Sequence, residues 1–110
     1  MVIASRVLTL RNEDAEIEIP IRILAPEQKD DAWVCRYEID WPEGTQNMRA
    51  EGADSIQALL VALKMIGADI YSSSYHKSGQ LMLEAPGKGY GFPVPSSLRD
   101  MLEGDDEKYF

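Results

Sequence analysis

The stretch that most constrains this chain is residues 54–71, DSIQALLVALKMIGADIY. Its interior is rich in Ala, Leu, Met, Lys and Gln, which lose little rotamer freedom in a helix. Asp54 stands at the N-cap position with Gln57 three residues on, the spacing of a capping box. Ile56, Leu59, Leu60, Leu63, Ile66 and Ile70 recur at three-and-four spacing and define one apolar face. Gly67 falls within that face. A mid-helix Gly costs about 1 kcal/mol against Ala, so Gly67 is either a tolerated fault or the place where a group from the opposing layer meets bare backbone. The opposite side carries Ala58, Val61, Ala62, Met65 and Ala68, with Gln57, Lys64 and Asp69 as its polar interruptions. A helix that is apolar nearly all round is covered on two sides. The Leu/Ile face is therefore expected to build the core, and the Ala/Val/Met face to need a second cover, either a short C-terminal helix, whose Leu98, Met101 and Leu102 offer an apolar side, or a second copy of the chain.

The chain before this helix alternates like a sheet. Residues 3–11 read as a strand with Ala4, Leu8 and Leu10 on one parity and Arg6 interrupting. Residues 16–24, EIEIPIRIL, alternate strictly, with four Ile on one face and Glu16, Glu18 and Arg22 on the other. Pro20 removes a ladder amide and favours an edge or a bulge. Residues 26–31, PEQKDD, read as a charged loop. Residues 32–41 give the strongest strand, with Trp33, Cys35, Tyr37, Ile39 and Trp41 facing one way, and residues 45–51 give a weaker one. Short links between consecutive strands imply an antiparallel meander. Closing the first two strands around residues 12–15 sets Leu10 opposite Ile17 and Arg11 opposite Glu16, which is consistent on both faces.

After the helix, residues 72–80 form a polar loop and Gln80–Glu84 one more short strand. Residues 85–95, APGKGYGFPVP, exclude regular helix. Ser96 or Ser97 caps a short last helix with an apolar side of Leu98, Met101 and Leu102, stopped by Gly104, and residues 105–110 read as an acidic tail. The expected fold is thus α+β in one domain, 1–110. It is an antiparallel meander of four to five strands packed on one long helix, with a short C-terminal helix.

Charge excludes several classes. Lys and Arg number 11 against 19 Asp and Glu, a net −8, which disfavours nucleic acid and anionic membrane as partners and is compatible with a basic protein. The lone Cys35 excludes an internal disulfide, a zinc ribbon and a CxxC redox site. No signal peptide precedes the first strand and no apolar run reaches a membrane span, so a soluble cytoplasmic protein is expected.

Few residues invite chemistry. Glu16, Glu18, Glu38 and Asp40 share the outer sheet face, but Arg22 and Arg36 lie among them, as on any solvated sheet. His76 is the single histidine, with serines nearby but no GxSxG elbow or triad context. A Cys35–His76 dyad is disfavoured because Cys35 lies on the buried parity of its strand. Gly87, Gly89 and Gly91 lack the strand–loop–helix setting of a phosphate loop. No catalytic residue, metal ligand or cofactor is therefore assigned. If a ligand site exists, its residues are Tyr75, His76, Lys77, Lys88, Tyr90 and Phe92, on two loops that the fold can bring together.

RYEIDWPEG before the helix, YHKSGQL after it and PGKGYGFPVPSSLRDML towards the end together resemble a bacterial family of small single-domain proteins of unknown function. The likeness covers most of the chain. It implies a cytoplasmic single domain and carries no mechanism. The function expected from the residues is a non-enzymatic interaction module that self-associates as a dimer through Val61, Met65, Ala68 and Met101, or an immunity-like or antitoxin-like protein that masks a basic partner. The alternative is a small-molecule-binding protein or enzyme using the loops at 72–92.

Overall fold

Alternation sets the sheet, and the structure, a computed structural model describing residues 1–110, follows it closely. The strands are β1 (Val2–Arg11), β2 (Glu16–Leu24), β3 (Glu27–Lys29), β4 (Ala32–Trp41), β5 (Gly44–Gly52) and β6 (Leu81–Met82), all antiparallel. The helices are α1 (Ser55–Ser72), α2 (Ser74–Lys77) and α3 (Asp105–Tyr109), with a 3₁₀ turn over Ser96–Met101. The fold is α+β, an open sheet on one long helix. β5 pairs with one side of β4, β3 and β2 share its other side, β1 lies outside β2, and β6 outside β1. Leu10 stands opposite Ile17 and Arg11 opposite Glu16, the register that matched both faces in sequence.

The sheet has six strands rather than four or five. Residues 27–29 lie in β3, where a charged loop was expected, and pair back on Ala32–Val34. Asp30 turns the chain between β3 and β4 with φ +54, a left-handed conformation that Asp tolerates better than most side chains.

Asp54 caps α1 as its position predicts: Oδ1 accepts the Gln57 amide at 2.8 Å. Gln57 Oε1 in turn accepts the Ala53 amide at 2.5 Å, one residue earlier than in a standard capping box. At 18 residues with a mean hydropathy of 1.2, α1 is marginally long and apolar enough to cross a bilayer, but here it lies on the sheet.

Which face of α1 meets the sheet corrects the sequence reading. Ala58, Ala62, Ile66 and Ile70, on the i, i+4 ridge, are fully buried over β4 and β5. Val61 and Met65, expected to await a partner, pack half-buried against that same core. Ile56 and Leu60, expected in the core, are 69 % and 51 % exposed. Small side chains let the helix backbone approach the sheet, whose Trp33, Tyr37 and Trp41 already fill the interlayer space.

The second cover is the chain's own C-terminal strap. Gly87, Gly89 and Gly91 all take positive φ, and between and after them Tyr90, Phe92 and Val94 turn into the core. The strap then crosses α1 at Gly67, where the Pro93 carbonyl oxygen occupies the place a Cβ would need. Close approach, and not a tolerated fault, accounts for this glycine. The last segment differs from expectation too. The 3₁₀ turn over 96–101 has no side-chain cap, and residues 105–109, read as an acidic tail, form α3.

Candidate functional site

Two regions gather side chains that could recognise something. The first is where α2, the strap and the C-terminal segment meet. Ser73 caps α2 by accepting the His76 amide, which turns the imidazole towards Tyr90. His76 Nδ1 lies 2.5 Å from the Tyr90 hydroxyl, which is 3.3 Å from the Leu81 carbonyl. A hydroxyl has one proton. If Nδ1–H donates to Tyr90, and Tyr90 donates on to Leu81, all three groups are satisfied. Tyr71, His76 and Tyr90 meet edge to face, with centroids 4.8–5.5 Å apart.

Behind them Asp106, 1 % exposed, accepts three hydrogen bonds: Tyr71 Oη at 2.6 Å, the Tyr90 amide at 2.7 Å and the Gly91 amide at 2.7 Å. Burial, then the carboxylate beside it, pushes the Tyr71 hydroxyl well above its ordinary pKa, and burial does the same to Tyr90. No buried side-chain polar atom in the chain lacks a partner. This network uses its own donors and acceptors up and clamps the C-terminal segment to the strap.

In front of the network is a cleft of about 480 Å³ lined by His76, Lys77, Tyr90, Met101 and Glu103 among others. Four candidate residues from sequence therefore adjoin: His76, Lys77 and Tyr90 from the loops, and Met101 from the supposed partner face. The others are elsewhere. Tyr75 stacks on Trp41 at 5.5 Å and donates to Glu43. Lys88 lines a separate recess with Tyr109 and Phe110, and Phe92 lies under Arg6. Ala68 is half-buried on α1. The six loop residues do not form one pocket, because Tyr75 is drawn to Trp41 and Glu43 and the strap carries Phe92 along to Arg6.

The outer sheet face is balanced. Arg22 sits between Glu38 at 2.9 Å and Asp40 at 2.7 Å, and hydrogen bonding to Arg22 holds the Asp40 carboxyl below its usual range. No group of three His, Cys, Asp or Glu stands at metal-binding spacing. Cys35 is buried with its thiol on the Leu24 carbonyl, and burial pushes its pKa up.

The second region was not singled out in sequence: the outer edge of β1. The Arg11 amide donates to the Gln80 carbonyl, so odd-numbered residues of β1 address the β6 side. β6 is two residues long and pairs with Thr9 and Leu10 only. The N–H and C=O groups of Ser5 and Val7 therefore lie open at the edge. Val2, Ile3 and Val7 are exposed beside them. A cleft of about 150 Å³ runs inward between this strand, Leu63 of α1 and Phe92 of the strap. Leu60 and Ile56 continue the Leu63 flank towards the start of α1. The available signal was the absence of a long strand after α1 to cover β1, together with apolar residues on both parities of residues 2–7.

A model for a domain of unknown function, DUF6968, matches residues 4–94. The chain belongs to the DUF6968 family. No curated protein and no solved structure matches it. The DUF6968 stretch contains β1 from Ala4 onward, α1, His76, Tyr90 and Phe92, and ends before Asp106.

Proposed function

We propose that this domain is a protein-interaction module that binds another polypeptide along β1. The observation that carries this reading is the unpaired edge at Ser5 and Val7, flanked by exposed Val2 and Ile3. An open strand edge is a template for another strand, and proteins usually blunt it with a bulge, a proline or a covering loop. Here the single register shift lies between Val2 and Ala4, ahead of the open residues, and no proline falls in β1. The ground for a dimer through Val61 and Met65 is weaker, since both pack on the chain's own core. The His76 cleft is the alternative, but the polar groups behind it are bonded to one another.

The test is photocrosslinking. A benzophenone side chain replacing Val7, irradiated in an extract of the cells that make the protein, is expected to give one discrete adduct. That adduct disappears in a Ser5→Pro background and does not form when the probe replaces Thr45 on the opposite edge strand. The Ser5 amide makes no bond within the sheet, so proline at this edge position is tolerated. No adduct at Val7, or the same adducts from both positions, overturns the reading. An adduct of twice the chain mass identifies the partner as a second copy.

A further inference from the structure

The geometry points to an occupant of the β1 edge: an extended segment carrying a carboxylate and, two residues away on the same face, one bulky apolar side chain. This inference rests on the reading of β1 as a docking edge. It begins at Arg6, on the inward face of β1. Arg6 Nη1 donates to the carbonyls of Tyr90 at 3.2 Å and Gly91 at 2.7 Å, and the guanidinium lies 4.9 Å from the centre of the Phe92 ring. These contacts fix its plane. They use one of its three nitrogens. Nε and Nη2 have no acceptor in the protein, and Arg6 makes no ion pair although the chain carries 19 carboxylates. The Nε/Nη2 side of a guanidinium is the fork that takes a carboxylate with two parallel hydrogen bonds.

The cleft beside Arg6 is otherwise uncharged, lined by Ala4, Ile21, Ile23, Leu63 and Phe92. Its volume of about 150 Å³ is near that at which an apolar cavity accepts a benzene-sized group, so it has room for one Leu or Phe side chain. A strand added at Ser5 and Val7 places its inward side chains level with Ala4 and Arg6, and these positions are two residues apart. The rest of the sheet is antiparallel, and antiparallel pairing is the stronger mode. Read from its N-terminus, such a segment presents the acidic residue first, at Arg6, and the bulky apolar residue second, at the cleft.

Charge selects against a second copy as this occupant. β1 carries Arg6 and Arg11 and no acidic residue, so edge-to-edge pairing of two copies brings no carboxylate to Arg6. It would also join two bodies of net charge −8. The local charge of this edge is opposite to that of the whole chain, so the favoured partner here is acidic, where the overall charge alone suggested a basic one.

The test uses a labelled peptide, acetyl-Thr-Thr-Glu-Thr-Leu-Thr-Thr-amide, and fluorescence anisotropy with the full chain. Saturable binding is expected, weakened at least about tenfold when Lys replaces the peptide's Glu, and lost with Ser5→Pro. Circular dichroism and melting of Ser5→Pro, unchanged from wild type, establish that its fold is intact. Absence of saturable binding by the Glu peptide at millimolar protein overturns the inference. So does equal affinity for the Glu and Lys peptides. If both bind equally and Ser5→Pro abolishes both, the docking edge survives and the acidic partner falls. If Ser5→Pro leaves binding unchanged, the edge reading falls as well. A dimer in sedimentation that Ser5→Pro dissociates makes a second copy the occupant and also overturns the inference.

Discussion

The carbonyl oxygen of Pro93 lies where a Cβ on Gly67 would stand. This contact holds the strap against α1 and places Phe92 under Arg6 on one side of the crossing and Val94 in the core on the other. Gly67→Ala therefore sets two effects against each other. Ala favours the helix by about 1 kcal/mol over Gly. Against that, backbone carbonyl and methyl cannot share the space, and forced overpacking costs ~1–3 kcal/mol. The neighbour is main chain, which cannot swing aside like a flexible side chain, so the second effect wins. Urea denaturation is expected to show a net loss of about 1 kcal/mol or more. A gain in stability would mean that the strap is free to lift off the helix.

Asp106 ties the far end of the strap. Its carboxylate takes Tyr71 Oη and two consecutive amides, those of Tyr90 and Gly91. Asp106→Ala leaves the buried Tyr71 hydroxyl and Tyr90 amide, and the partly exposed Gly91 amide, without an acceptor, at a cost of about 2 kcal/mol or more, since each buried orphaned group costs ~1–3 kcal/mol. Tyr71→Phe removes that one short bond and a long one, 3.4 Å, accepted from the Glu103 amide, but leaves Asp106 both main-chain donors, and is expected to cost only about 1 kcal/mol. Limited proteolysis checks the local consequence: tryptic cleavage after Arg99, in the segment Asp106 ties down, should rise sharply in Asp106→Ala and little in Tyr71→Phe.

Much of this architecture was legible in the residues. Strict alternation in EIEIPIRIL and AWVCRYEIDW fixed two strands, their inward faces and the Leu10–Ile17 register, because a one-residue slip would turn every Ile to solvent. The α1 cap was legible because Asp54 and Gln57 act through local geometry. The buried face of α1 was not. Periodicity ranks residues by hydrophobicity, and so placed Ile56 and Leu60 inside. The sheet needed small residues where its aromatics crowd, and so Ala58 and Ala62 went inside instead. The Asp106 network was illegible for a different reason. Asp106 stands in an acidic run, and only the three-dimensional return of α3 to the strap supplies its donors. The open edge of β1 depends on how short β6 is, a property of a distant segment.

The corrected face of α1 makes a paired prediction. Leu60 is half exposed, so Leu60→Gln is expected to change stability by no more than about 0.5 kcal/mol. Ala62 is fully buried over the sheet, and Ala62→Leu adds three heavy atoms where none fit, costing ~1–3 kcal/mol. The face assigned from periodicity alone predicts the reverse order. Thermal melts of the two variants decide between them, with the Ala62 variant expected to melt several degrees lower than the Leu60 variant.

Asp69 supplies the pH dependence. It sits on α1 facing β4 and β5, with Oδ2 accepting from Tyr37 Oη at 2.5 Å and from Gln46 Nε2 at 3.1 Å. Burial raises its pKa, and the two hydrogen bonds offset that only in part. The folded chain therefore holds this proton more tightly than the unfolded chain does. Its contribution is fully favourable below the ordinary carboxylate range, near 3.9, and is lost as pH rises through the raised folded value. Asp69→Asn keeps an acceptor for Tyr37 and Gln46 but never ionises. The melting temperature of the variant relative to wild type is therefore expected to climb as pH rises from about 4 through the raised carboxyl value. Tyr37→Phe works in the other direction. It removes a bond that favours the carboxylate, so the Asp69 carboxyl should titrate higher still, measurable by NMR of its side-chain carbon. If the difference between Asp69→Asn and wild type were flat across this range, Asp69 would be an ordinary solvated carboxylate and the Tyr37 contact would not order α1 against the sheet.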